Sequence, residues 1–122
     1  MKSISFLLVA FFAIISSSLF AQTAQTDTIK VYGNCGMCKS RIEKTVKVEG
    51  VSSALWNSET KFLIVSYDPG KITNDSLQQR IAAVGHDTEK YTADDKVYIR
   101  LPGCCHYERK KEPKKENPEQ KQ

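Results

Sequence analysis

Thr28-Ile29-Lys30-Val31-Tyr32-Gly33-Asn34-Cys35-Gly36-Met37-Cys38 decides the fold. Thr28 to Tyr32 alternate as a short strand, Gly33-Asn34 breaks the pattern, and from Cys38 to Val48 the spacing turns helical. Cys38, Ile42 and Thr45/Val46 fall on one helix face, while Glu43 and Lys47 stand i, i+4 on the other and support the helix from solvent. One cysteine therefore sits on a strand-to-helix loop and the other on the first turn of the helix.

Downstream, Glu49-Gly50 ends that helix, because glycine accepts the left-handed cap conformation. Val51 to Trp56 reads as a second strand with Ala54 and Trp56 on one face, and Asn57 to Thr60 as a turn. Phe62-Leu63-Ile64-Val65-Ser66-Tyr67 is the strongest strand signal in the chain, and Asp68-Pro69-Gly70 bounds it with turn chemistry. Thr73 is placed to cap a second helix carrying Leu77, Ile81 and Val84 at i, i+4 and i+7, which Gly85 stops. An extended piece from Asp87 to Tyr91 completes the order βαββαβ, the ferredoxin-like split βαβ pattern of an α+β sandwich. Its first strand is central, and the loops after strand one and helix two leave the sheet at the same end. Cys35, Cys38 and His86 are expected to be neighbours.

Past this unit, residues 92–95 (Thr-Ala-Asp-Asp) signal a turn, and Lys96 to Leu101 have strand character ended by Pro102-Gly103. An additional C-terminal strand pairing back as a hairpin over residues 92–108 would return Cys104-Cys105-His106 to the cysteine end.

The two ends differ from the middle. Lys2, an apolar run from Ile4 to Ile15 and Ser16-Ser17-Ser18-Leu19-Phe20-Ala21 read as a signal peptide over residues 1–21, cleaved after Ala21. The apolar run is shorter than the roughly 20 residues of a spanning helix, so no stable membrane insertion is expected after cleavage, and the location expected is periplasmic or secreted. The remainder has room for one modest core and not for a large enzyme cleft. Of the formal net charge of +4, most lies in residues 109–122, where six Lys or Arg meet three Glu. That Lys/Glu/Pro-rich stretch reads as a disordered charged tail. The segment between the ends is neutral by count, which argues against a nucleic-acid groove.

The chemistry lies in the cysteines. The thiolate is the metal-binding form, and a cysteine at a helix N-terminus has its pKa lowered by the unpaired N–H groups there. Two thiolates do not complete the tetrahedral shell of structural zinc, but soft sulfur ligands select Cu(I), and Hg(II), Ag(I) and Cd(II) share the preference. Cys35 and Cys38 are thus the expected metal ligands. His86, Cys104, Cys105 and His106 are candidate additional ones. For His86 the alternative is a loop histidine without contact. For Cys104 and Cys105 it is a disulfide, vicinal or to Cys35/Cys38, in an oxidising compartment.

Cys35-x-x-Cys38 on its loop, Gly50-Val51, Val65-x-Tyr67-Asp68-Pro69 and Gly85-His86-Asp87 together resemble the heavy-metal-associated domain. That family includes copper chaperones, the metal-binding modules of copper-pumping ATPases and the periplasmic mercuric-ion binding protein. The resemblance covers residues 27–91. It implies the ferredoxin-like fold, thiolate binding of Cu(I) or Hg(II), and transfer by ligand exchange to a metal-transporting membrane protein or another metal-binding domain. The family's Gly-Met-x-Cys before the first cysteine is altered, with Gly33 two positions before Cys35 and Met37 inside the loop.

The leading expectation is an exported metallochaperone or scavenger without catalysis. Its rival from another class is a thioredoxin-like thiol-disulfide oxidoreductase, with Cys35 attacking and Cys38 resolving. The aromatic and proline flanks common around such motifs are missing here. A third reading is an interaction module whose four cysteines form structural disulfides, for which three pairings exist.

Overall fold

A computed structural model describes residues 24–109 of the chain. The expected signal peptide and residues 110–122 of the expected tail lie outside the described residues. The elements run β1 (Gln25–Lys30), α1 (Gly36–Val46), β2 (Val51–Trp56), β3 (Phe62–Tyr67), α2 (Asn74–Ala83), α3 (Asp95–Ile99) and a 3-10 turn (Gly103–Cys105). No helix among the described residues is long and apolar enough to cross a membrane.

The sheet is antiparallel with order β1-β3-β2, in which Ile29 faces Leu63 and Trp56 faces Leu63 from the other side. Alternation puts Leu63, Val65 and Tyr67 of β3 into the core and leaves Phe62 and Ile64 on the outer face. The helices cover the inner face with Ile42 and Val46 from α1 and Leu77 and Ile81 from α2, all fully buried. This is the α+β ferredoxin-like arrangement expected, with β3 rather than the first strand at the centre of the three. Thr73 caps α2 as its spacing predicts, accepting a hydrogen bond from the Ser76 amide at 3.1 Å. Gly50 and Gly85 both adopt positive φ, at +95° and +106°.

Three local expectations are corrected. The fourth strand contracts to one antiparallel bridge, Val31 to Thr88, with the Tyr32 amide donating to the Asp87 carbonyl and the Glu89 amide to the Lys30 carbonyl. Buried Gln78 is the reason: its Oε1 accepts from the Thr88 hydroxyl and the Lys90 amide, while the Thr88 amide donates to the Tyr91 carbonyl, curling the chain off the sheet edge. The additional C-terminal strand does not form. Asp94 caps a short helix there, its carboxylate accepting from the Lys96 amide at 2.8 Å, and helical spacing turns Tyr98 and Leu101 toward the core. Finally, Glu43 of α1 pairs with Lys39 rather than Lys47, because its carboxylate also accepts the Trp56 amide at 3.0 Å and is drawn against β2.

The segment after α2 folds back as a strap across the β1–α1 end. Leu101 packs where a side chain on Gly85 would stand, 3.0 Å from that virtual Cβ. The Tyr107 hydroxyl donates to the Gly85 carbonyl and accepts the Asp87 amide, both at 2.8 Å and both buried. Arg109 does not belong to a free tail. Its guanidinium grips the fully buried Asp87 carboxylate at 2.7 and 3.0 Å and also reaches Asp95.

Candidate metal centre

Cys35 is the N-cap residue of α1, with extended backbone (φ −114°, ψ 178°) and a half-buried side chain. Cys38, on the first turn, is fully buried, and its sulfur accepts the Asn34 amide at 3.4 Å. Beneath the loop lies Trp56, whose indole N–H donates to the Val31 carbonyl at 3.0 Å. Gly33 sits so close to this floor that a Cβ would stand 3.1 Å from the indole and from Cys38 Cβ. A glycine two residues before the first cysteine is therefore a packing requirement of the loop.

The strap brings Cys104 and Cys105 to the same place, by a helix and a 3-10 turn rather than by a hairpin. Cys35 Sγ lies 3.7 Å from Cys38, 3.6 Å from Cys105 and 3.0 Å from Cys104. The sulfurs of Cys35, Cys38 and Cys105 all lie within 4.8 Å of one another and could hold one metal ion. All four cysteines are free thiols. Cys104 is exposed at the rim, its sulfur 3.4 Å from Met37 Sδ and 3.9 Å from Cys105. Met37 is 52% exposed and so joins the mouth of the cluster instead of the core.

The thiols are electrostatically unequal. The hydrogen bond between Cys35 and Cys104 holds the Cys35 thiol down to about 6, against burial, which works the other way. Burial pushes Cys38 up to about 11 and also raises Cys105. One sulfur is thus ready as a thiolate, while the deeper thiols keep their protons until a bound cation displaces them to solvent. Arg41, one turn along α1 from Cys38, points Nη1 at Cys105 Sγ from 3.3 Å. Its role was not visible in the sequence, where it is one of many helix-surface cations.

The two imidazoles lie outside the three-sulfur group. His86 is fully buried behind the loop, with Nδ1 2.8 Å from the Tyr32 carbonyl and its ring stacked on Tyr107 at 5.5 Å between centroids. Its Nε2 has no hydrogen-bond partner among the described residues, and burial holds its pKa below the usual range. It is not the loop histidine without contact that the sequence offered as the alternative. His106 is exposed, with its ring against Tyr98. Tyr107, which both covers His86 and anchors the strap, carries no motif and is announced only by its place two residues after the cysteine pair.

Comparison with known proteins supplies relatives for this arrangement. No family model matches the chain. A copper-exporting P-type ATPase of Staphylococcus saprophyticus is 33% identical over 69 residues, which are 56% of this chain and 8% of that protein. The chain spans about a tenth of the length of the curated relatives it matches. Among solved structures, the CopZ metallochaperone superposes with a TM-score of 0.51 at 32% identity, covering 52% of this chain and 98% of that one. Oxidized MerP from Ralstonia metallidurans CH34 does so with a TM-score of 0.52 at 32% identity, covering 55% and 96%. Nearly the whole of each of these two proteins is matched by about half of this chain at 32% identity, and the chain belongs to the heavy-metal-associated domain family.

Proposed function

We propose that this protein binds a soft, thiophilic metal ion through Cys35 and Cys38, with Cu(I) favoured and Hg(II) next, and acts outside the cytoplasm as a metallochaperone or scavenger. The observation that carries this reading is the convergence of free sulfurs from the α1 loop and the strap on one small volume, with Cys35 poised as thiolate. Soft sulfur donors select soft ions, and a site near the surface can pass its ion on by ligand exchange. The relatives are a metallochaperone, MerP and a copper-exporting ATPase. The recipient implied is a metal-transporting membrane protein or another metal-binding domain. Export rests on the reading of residues 1–21, and fractionation of the source cells tests it.

The binding test is competition for Cu(I) against a chelator, on reduced protein without oxygen. Wild type is expected to take up one ion tightly, and a Cys35→Ser/Cys38→Ser variant to lose it. Equal affinity in both would end the proposal. The same asymmetry, a lowered Cys35 beside a buried Cys38, also suits thiol–disulfide exchange. Turnover in a disulfide reductase assay would favour that second reading over ours.

A further inference from the structure

We propose that Cys105 supplies a third thiolate to the Cys35/Cys38 site, so that the ion is held in a trigonal three-sulfur pocket with Arg41 beside it. This deepens the metal-binding reading and rests on it.

The sulfur spacing is the first argument. With a metal–sulfur bond of about 2.3 Å, a linear two-sulfur site needs its sulfurs about 4.6 Å apart, and an equilateral three-sulfur site about 4.0 Å. Cys35 and Cys38 stand 3.7 Å apart and Cys35 and Cys105 3.6 Å, with the whole triad inside 4.8 Å. The two sides that meet at Cys35 fall only about 0.3–0.4 Å short of the trigonal spacing and the third is at most 4.8 Å, whereas the linear pair would have to spread by nearly 1 Å.

The second argument is that the fold, rather than chance contact, puts Cys105 there. Its side chain is fully buried at the edge of the core. Its amide donates to the Pro102 carbonyl and its carbonyl accepts from the Tyr107 amide, both at 2.8 Å. Two residues on, the Tyr107 hydroxyl and the Arg109–Asp87 pair pin the strap to the loop after α2.

The third is charge. Three thiolates around a monovalent ion carry a net charge of −2, and around a divalent ion −1, which a partly buried site holds only with a compensating cation. Arg41 reaches Cys105 Sγ at 3.3 Å and provides it. Cys104 is not the third ligand: it is exposed and leans to the rim beside Met37. A third thiolate moves the site from easy release toward retention, and favours ions that accept three sulfurs, such as Hg(II), Cd(II) and Cu(I).

X-ray absorption on the full chain loaded with one equivalent of Cu(I), without oxygen, counts the sulfurs directly. Three are expected in wild type and in Cys104→Ser, and two in Cys105→Ser. Chelator competition should show an affinity loss of at least about tenfold for Cys105→Ser, since even an outer-shell partner costs that much. Cys105→Ala, with its circular dichroism compared to wild type, guards against a folding artefact. Two sulfurs in wild type, or three lost to two only in Cys104→Ser, overturns the assignment of Cys105 while the Cys35→Ser/Cys38→Ser variant still fails to bind. If that double variant binds as wild type does, the metal-binding reading itself falls.

Discussion

Tyr107→Phe removes a single oxygen atom and tests whether the strap is held as described. The hydroxyl serves two buried backbone groups at once, accepting the Asp87 amide and donating to the Gly85 carbonyl, each at 2.8 Å. Phenylalanine fills the same space, so no cavity opens, and the loss is that of two hydrogen bonds whose backbone partners stay buried. An unsatisfied buried group costs about 1–3 kcal/mol, and two of them sum to roughly 2–6 kcal/mol. Against a total stability of about 5–15 kcal/mol, that is a large share. With a urea slope of about 2 kcal/mol per molar, the low end already moves the unfolding midpoint down by about 1 M. Tyr98→Phe is the control: its hydroxyl donates one half-buried bond to the Tyr107 carbonyl at 2.7 Å, and about 1 kcal/mol is expected. A thiol probe gives the local readout, because Cys105 is fully buried and should become reactive in Tyr107→Phe before Cys38 does. A midpoint within about 0.25 M of wild type at unchanged slope would refute the anchoring role.

Alkylation of Cys35 should level off by about pH 8, two units above its value of about 6, because the reactive thiolate is already saturated there. Cys104→Ala removes the hydrogen bond that lowers it and should shift that profile toward the ordinary thiol value of 9.0, as read by mass spectrometry of modified peptides. Gly85→Ala places a Cβ at φ +106° and 3.0 Å from Leu101, and calorimetry should find it destabilised by about 1–3 kcal/mol. Thr73→Ala removes the α2 cap and should cost about 1 kcal/mol in urea unfolding, with the metal affinity unchanged.

What could be read from sequence was what local chemistry decides. Phe62–Tyr67 alternates because one face is buried, Thr73 caps α2 through its own side chain, and Gly50 and Gly85 mark positive φ that other residues resist. The misread segments are those where a distant partner overrides local preference. Val97, Tyr98 and Ile99 favour a strand by composition, yet Asp94 caps a helix that turns Tyr98 toward Tyr107. Asp87–Tyr91 would extend the sheet but for Gln78, which sits on another element and captures Thr88. His86 was expected beside the cysteines because its loop lies at their end of the sheet, and it packs fully buried behind the cysteine loop. Nothing nearby in the chain says that Tyr107 will cover it. The arrival of Cys105 beside Cys35 was foreseen by a route that does not form, since a hairpin and a helix with a short turn both return the chain to the same end.

Asp87 explains why that return is so firmly made. A carboxylate with no solvent exposure is tolerated only where opposite charge and hydrogen bonds meet it, and two separate parts of the chain do so here. The Ala93 amide donates to it at 2.8 Å, Arg109 holds both its oxygens, and its own amide is bound to Tyr107. Arg109 in turn donates to the Ala93 carbonyl and lies over the Tyr98 ring. The start and the end of the strap are therefore fastened to one residue, which directly follows the histidine packed behind the cysteine loop. A closed loop of this kind leaves its middle little freedom, and its middle contains Cys104 and Cys105. The position of Cys105 is thus held from the two ends of the strap by the Asp87–Arg109 pair and the Ala93 amide, and substituting Arg109 is expected to loosen Cys105 without removing a sulfur.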